Sequence, residues 1–192
     1  MTISFSENLL KLAAVVYGPE DDVDSLLAGF AAGLLREGHR VGGVVQRNAK
    51  GDCGPHALMH VVDLMTGSEI SICQALGEGA VSCKLDPGGL AEAAVAVSRA
   101  IAEDVELVVV NKFSKQEAAG AGLRAEIADA VVAGLPVITA VPERLLEAWE
   151  DFTGGFGTTL LCDGDVVAEW WREVSRRDGR VRALARLERA SA

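Results

Sequence analysis

No two cysteines stand at CxxC spacing in this chain, and the four present (Cys53, Cys73, Cys83, Cys162) are scattered. That spacing argues against a regular zinc site and, in a reducing compartment, predicts free thiols. Cys73 and Cys162 fall in apolar, strand-like runs, where a small buried side chain is the simple expectation. Positive charge is also scarce. Lys and Arg number 18 against 28 Asp and Glu, a formal net charge of -10 with a pI near 4.8. That balance excludes nucleic acid and anionic membrane surfaces as general partners. Only the stretch from Arg172 to Arg189 is basic, and its sign opposite to the body allows a contact within the chain or with a second copy, as a homodimer. Long apolar runs are absent, so no membrane insertion is expected. The opening "MTISFSENLLKL" has no basic region ahead of an apolar stretch, so a cytoplasmic location is expected. There is no internal repeat and no low-complexity segment.

What is present is an alternation. The chain has 192 residues, 49% of them hydrophobic, enough for one domain with its own core. "KLAAVVY" reads as a buried strand. Asp21–Glu37 follows with Val23, Leu26, Leu27, Phe30 and Leu34 on one helical face. "RVGGVVQRN" is a second strand. "ALMHVVDL" and "EISICQAL" flank the turn "MTGS" as a hairpin. After a long loop, Pro87 starts a helix to about Ala102. "VELVVVNKF" is the most apolar strand, a helix spans roughly Gln116–Ala133, and "PVITAV" is another buried strand. A short helix, a weak strand and an amphipathic helix bearing Trp170 and Trp171 complete the order. Neighbours on a helix point about 100° apart, so one of the two tryptophans is expected to face away from the core.

Strands alternating with helices predict an α/β fold with a mostly parallel sheet, and the run from Arg40 to Leu76 predicts an antiparallel ribbon inserted in it. We expect residues 1–156 to form the α/β domain and 157–192 a C-terminal helical extension, packed on it or used in assembly. Ligands in such folds sit beyond the C-terminal strand ends. The loop after Tyr17, the "NKF" segment and the "AVP" segment converge there.

Candidate residues follow from that edge. Asn111 and Lys112 are a polar pair ending a buried strand. With Lys115, Glu117 and Arg124 they offer cationic and hydrogen-bonding groups for a small oxyanion or a nucleotide. The plain alternative is a Lys–Glu surface pair and a turn-closing asparagine. Arg47, ending another strand, could read an anion. Glu20, Asp21, Asp22 and Asp24 crowd the first loop, where they either hold a cation or cap a helix, Asp21 or Asp22 being the N-cap. Asp86 is the expected N-cap of the helix that Pro87 starts. Cys53, His56, His60 and Cys83 are weak candidates for a metal or redox site. His56 and His60 would share a strand face.

The order of these blocks resembles the small P-loop nucleoside-triphosphatases over roughly Leu12 to Gly155. It does so in the strand and loop ending "VVYGPEDD", the "DLMTG" turn, the "NKFSKQE" segment where that family carries acidic residues, and the strand after "AVVAGLPV". A closer resemblance is to a bacterial family of unknown function. Its pattern here is "VVY-P-DD", "VGGVVQRN", "DLMTG", "Q-LG-GA--CKLDP", "VVVNKFSKQEAAGAGLR" and "GLPVITAV". Members of that family are often encoded beside molybdate-transport genes and labelled molybdenum-transporter ATP-binding proteins. The resemblance implies a three-layer P-loop-NTPase-like fold and a setting in molybdate or molybdenum metabolism.

The phosphate-loop chemistry does not follow. Such a loop needs glycines to turn backbone N–H groups inward, a lysine on the phosphates and a Ser/Thr on Mg²⁺. Gly18 and Ser25 remain, but Asp24 falls at the lysine position and Glu20, Asp21 and Asp22 fill the rest. A carboxylate about 4 Å from a phosphate charge costs about 4 kcal/mol at intermediate dielectric. The acidic pair that would hold Mg²⁺ and water is Asn111-Lys112. The expected function is therefore a non-hydrolysing accessory protein that binds a small anion or nucleotide, with molybdate or another oxyanion as ligand and no ordinary Mg-ATP. Two alternatives stay open: an NTPase with an atypical loop, and a lysine-dependent lyase or dehydratase. No catalytic residue is assigned.

Overall fold

The computed structural model describes residues 11–47, 59–74 and 84–190, with side chains to residue 179. The elements in order are β1 (Leu12–Tyr17), α1 (Val23–Arg36), β2 (Val41–Arg47), β3 (His60–Asp63), β4 (Glu69–Ser71), β5 (Cys73–Gln74), β6 (Lys84–Leu85) and α2 (Pro87–Ala102). There follow β7 (Leu107–Val110), α3 (Lys115–Ala118), α4 (Arg124–Val132), β8 (Val137–Pro142), a 3-10 turn at Glu143–Leu145, α5 (Leu146–Thr153), β9 (Thr158–Leu161) and α6 (Gly164–Ala190). Seven strands form one sheet in the order β4-β3-β2-β7-β8-β1-β9, and β5 pairs with β6 alone. The pairs from β2 to β9 are parallel, while β3 runs antiparallel to β2 and to β4. The expected α/β architecture with an antiparallel ribbon at one edge is what the chain forms.

Strand alternation sorts the apolar residues into two cores. Ala13, Val15, Leu107, Val109, Ile138 and Ala140 face α1 and α6, and Leu12, Ala14, Val108, Val110, Val137 and Val141 face α2, α4 and α5. Covered on both faces, the central strands carry unbroken apolar runs, which is why they were visible in the sequence. Both Trp170 and Trp171 are buried, contrary to the expectation from helical spacing. α6 lies over the sheet beside α1, so adjacent positions on it are both covered, and Trp171 meets His39 edge-on with centroids 5.5 Å apart. The helix is tied further along by buried Asp178, which accepts from Lys11 at 2.5 Å.

The helix expected at Gln116–Ala133 is two helices. Gly120 and Gly122 break it with φ of 85° and 63°, a region other residues avoid. The long loop before α2 contains a short strand, since Lys84–Leu85 pairs antiparallel with Cys73–Gln74. Asp86 caps α2, accepting from Gly88 and Gly89 N–H, as expected for an Asp ahead of Pro87. The "DLMTG" block is a structural device. Buried Asp63 accepts from Met65 N–H and Thr66 Oγ1 within the turn, and pairs with Arg99 of α2. The same carboxylate thereby closes the hairpin and pins the helix over it.

Candidate functional site

β1 and β8 are adjacent parallel strands whose chains leave in opposite directions. After Tyr17 the chain enters α1 on one face, and after Pro142 it enters α5 on the other. That divergence opens a crevice at their C-terminal ends, the position where open α/β sheets bind ligands. Gly18 marks it: a side chain there would meet Asp21 Oδ2 and Glu143 Oε2, each 3.7 Å from its Cβ.

The loop at this crevice uses its own carboxylates as ligands for its own donors. Gly18 N–H donates to Asp21 Oδ2 at 2.8 Å, closing the turn. Asp22 is the N-cap of α1, accepting from Ser25 N–H at 3.1 Å. Hydrogen bonds from the Ser25 side chain and N–H hold the Asp22 carboxyl below the usual range. Asp24, in the first turn of α1, points inward and is buried. Asn111 Nδ2 donates to its Oδ1 at 2.9 Å, and Lys112 Nζ lies 3.0 Å from Oδ1 and 3.2 Å from Oδ2. The side chains of Lys112 and Asp24 are 21% and 12% exposed, so the pair is largely out of water without being sealed from it. The Lys112 ammonium also sits 5.4 Å from the centre of the Tyr17 ring.

Residues around the pair fix its far side. Phe113, the next residue, is fully buried against Trp149 and Phe152, with centroids 5.2 and 5.6 Å away. Phe113 N–H donates to Thr139 Oγ1 at 3.1 Å, and that hydroxyl donates to Val110 O at 2.6 Å. Thr139 on β8 thus holds the segment after β7 so that Asn111 and Lys112 stay at the crevice. Asn111 is itself buried, and among the described residues its Oδ1 has no hydrogen-bond partner.

The structure brings Asn111, Lys112 and Asp24 together and places the other expected residues elsewhere. Lys115 is exposed at the start of α3. Glu117 is buried and accepts from Ser114 N–H, Ser114 Oγ and Leu123 N–H, which makes it the buckle of the α3–α4 connection. Arg124 stacks on Phe152, 4.2 Å from the ring centre, and donates to Glu117 O. Arg47 is exposed at the end of β2 and paired with Glu69 at 3.0 Å. Glu20 is exposed in the loop and Ser25 in the first turn of α1. His60 opens β3 opposite Arg47, while Cys53, His56 and Cys83 lie outside the described residues. Among the described residues, no group of three or more His, Cys, Asp and Glu side chains is placed to hold a metal.

Four residues at or behind the crevice escaped the sequence reading. Tyr17 and Thr139 sit inside apolar strand runs, where nothing marks them as polar contacts. Glu143 and Cys162 reach the crevice only through the topology, at the ends of β8 and β9. Burial pushes the Cys162 thiol pKa up, and Asp21, Asp22 and Asp163 add to the rise. An apolar groove of about 290 Å³ lies at the other end of the sheet, lined by Leu12, Ile127, Val131, Phe152 and Phe156 among others. The titratable groups gather away from it.

Comparison with known proteins agrees with the block pattern. Molybdenum import ATP-binding protein ModC 2 of Bradyrhizobium diazoefficiens is 59% identical over 183 residues, covering 95% of this chain and 20% of that protein. The chain therefore spans about a fifth of that relative's length. No solved structure matches the chain. A family model described as "Protein of unknown function (DUF2478)" matches residues 12–170, which takes in every strand of the main sheet and the whole crevice. The chain belongs to this DUF2478 family.

Proposed function

We propose that this chain is a non-hydrolysing module of a molybdate-related nucleotide-binding system, and that it takes a small oxyanion or a nucleotide phosphate at Lys112. The observation that carries this reading is the Asp24–Lys112 ion pair at the β1/β8 crevice. By the resemblance to P-loop proteins, Asp24 stands at the lysine position and Lys112 at an acidic one. Taken separately, these are two losses of function. In contact, they are one pair with its charges exchanged. Phosphoryl transfer relies on a fixed cation on the phosphates and a carboxylate on Mg²⁺. With the signs exchanged and the charges neutralising each other, neither role is served. The loop's N–H donors at Gly18 and Ser25 are likewise committed to Asp21 and Asp22.

Among the described residues Lys112 is the one ammonium at the cluster, at the position of the fold that meets ligands. An entering anion joins Asp24 at the Lys112 ammonium, which has three N–H donors. Molybdate-related work is the setting because the relative in Bradyrhizobium diazoefficiens is named for molybdenum import and ATP binding. Since the match is about a fifth of that protein, ATP binding there belongs to the whole chain and need not fall in this region.

Titration calorimetry with molybdate, tungstate, phosphate, ATP and ADP tests the reading. At least one should bind, and Lys112→Ala should weaken it by about tenfold or more, roughly 1.4 kcal/mol. Absence of binding by all of them overturns the proposal. So does phosphate release from ATP or GTP with Mg²⁺ that is lost on changing Lys112 or Lys115, which would instead favour an NTPase with an atypical loop.

A further inference from the structure

We infer that Asp24 makes this crevice selective for oxyanions that retain a proton, hydrogen phosphate or a singly ionised phosphomonoester, over fully deprotonated ones such as molybdate and sulfate. The inference rests on the reading of Lys112 as the anion contact and names the class of anion.

An anion at this cluster meets a carboxylate as well as an ammonium. Lys112 Nζ has three N–H donors, and Asp24 lies against it through both carboxylate oxygens, at 3.0 and 3.2 Å. An anion oxygen that reaches this ammonium comes within hydrogen-bonding range of the same carboxylate. Two bare oxygens there repel. An O–H placed between them instead makes a charge-assisted hydrogen bond, of the short and strong kind. Asp24 stays in place, and the ligand must bring the proton.

A second acceptor lies in the same cluster. Among the described residues, Asn111 Oδ1 is buried and has no partner. The Asn111 amide cannot turn over to supply a donor, because its Nδ2 is held by Asp24 at 2.9 Å. The groups around Asp24 reinforce the preference. Lys112 and the Tyr17 ring lie on one side, while Asp21 and Asp22 in the loop and Glu143 after β8 add negative charge at the rim. A rim of that sign favours the protonated, less charged form of any oxyanion. Molybdate and sulfate carry no proton at neutral pH, inorganic hydrogen phosphate keeps one there, and a phosphomonoester keeps its last one only below about pH 6. In a molybdate-related system, the ligand of this module would then be inorganic phosphate rather than the free metal oxyanion.

The test is calorimetry on the whole chain with inorganic phosphate, phenyl phosphate, sulfate and molybdate at matched ionic strength, between about pH 6 and 8. Phosphate should bind at least about tenfold more tightly than sulfate and molybdate across that range, and phenyl phosphate should approach it only towards about pH 6. In Asp24→Asn the amide can donate as well as accept. Sulfate and molybdate should then come within about threefold of phosphate, and the pH dependence should flatten. If that variant does not fold, the wild-type comparison decides alone. Sulfate or molybdate binding as tightly as phosphate, with Lys112→Ala weakening both, overturns the selectivity and leaves the anion site standing. Binding of none of the four overturns the selectivity together with the reading beneath it.

Discussion

Replacing Lys112 by Met keeps most of the side-chain length and removes the charge, so it isolates the ion pair. Asp24 would keep the Asn111 Nδ2 bond at 2.9 Å and lose its counter-ion. Breaking a fully buried pair from one side costs about 3–5 kcal/mol, because the remaining charge is stranded. Here the two side chains are 21% and 12% exposed, so water reaches them and the cost falls to about 2 kcal/mol. For a chain of this size that lowers the melting temperature by roughly 4–8 °C. Urea denaturation of the wild type, Lys112→Met, Asp24→Asn and the double variant measures it as a cycle. The double variant should recover at least about 1 kcal/mol relative to the sum of the single changes. If Lys112→Met lies within about 0.5 kcal/mol of wild type, or the two changes simply add, the pair is a surface contact and the argument built on it fails.

Thr139→Val should destabilise by about 1–3 kcal/mol in the same assay, since it removes both the Phe113 N–H bond and the Val110 C=O bond at a fully buried site. Gly43 has φ of 99°, and a Cβ there would lie 2.1 Å from Val109 O, so Gly43→Ala should cost at least about 3 kcal/mol and show first as lost folded yield. At Glu106, burial raises the carboxyl pKa, but the bonds from Arg40 N–H and His39 outweigh it and the net shift is downward. A lowered folded pKa contributes stability above the ordinary glutamate range that is lost as pH falls through the folded value. Glu106→Gln should therefore cost up to about 1 kcal/mol near neutral pH, with the difference disappearing in acid melts. An equal cost at both ends of the pH range would show that charge is not what that carboxylate contributes.

The parts of the fold legible in the sequence are those where one residue's neighbours decide its state. Apolar runs such as "LVVV" and "VITAV" mark strands covered on both faces, and Asp86 before Pro87 marks a helix start. The break between α3 and α4 was not legible, because helical spacing is blind to the sign of φ at Gly120 and Gly122. The edge strand β9 was weak in the sequence for a physical reason. Half of its residues face solvent, and its partner is β1, the first strand of the chain. The crevice was legible as a place and not as a set of contacts. Asp24 and Lys112 are 88 residues apart, so each looked like a missing group until the sheet order brought them together. Arg124 and Glu117 stood in the same promising block, yet their partners are Phe152, Ser114 and Leu123, chosen by packing on the far side of that segment.

The ion pair at the crevice also constrains how this lineage can change. Turning Asp24 into a lysine alone would leave two lysines side by side with no counter-ion from this pair, and turning Lys112 into an aspartate alone would do the same with two carboxylates. Either intermediate is penalised by like-charge repulsion in a partly desolvated place. Positions 24 and 112 should therefore vary together or stay fixed together across relatives.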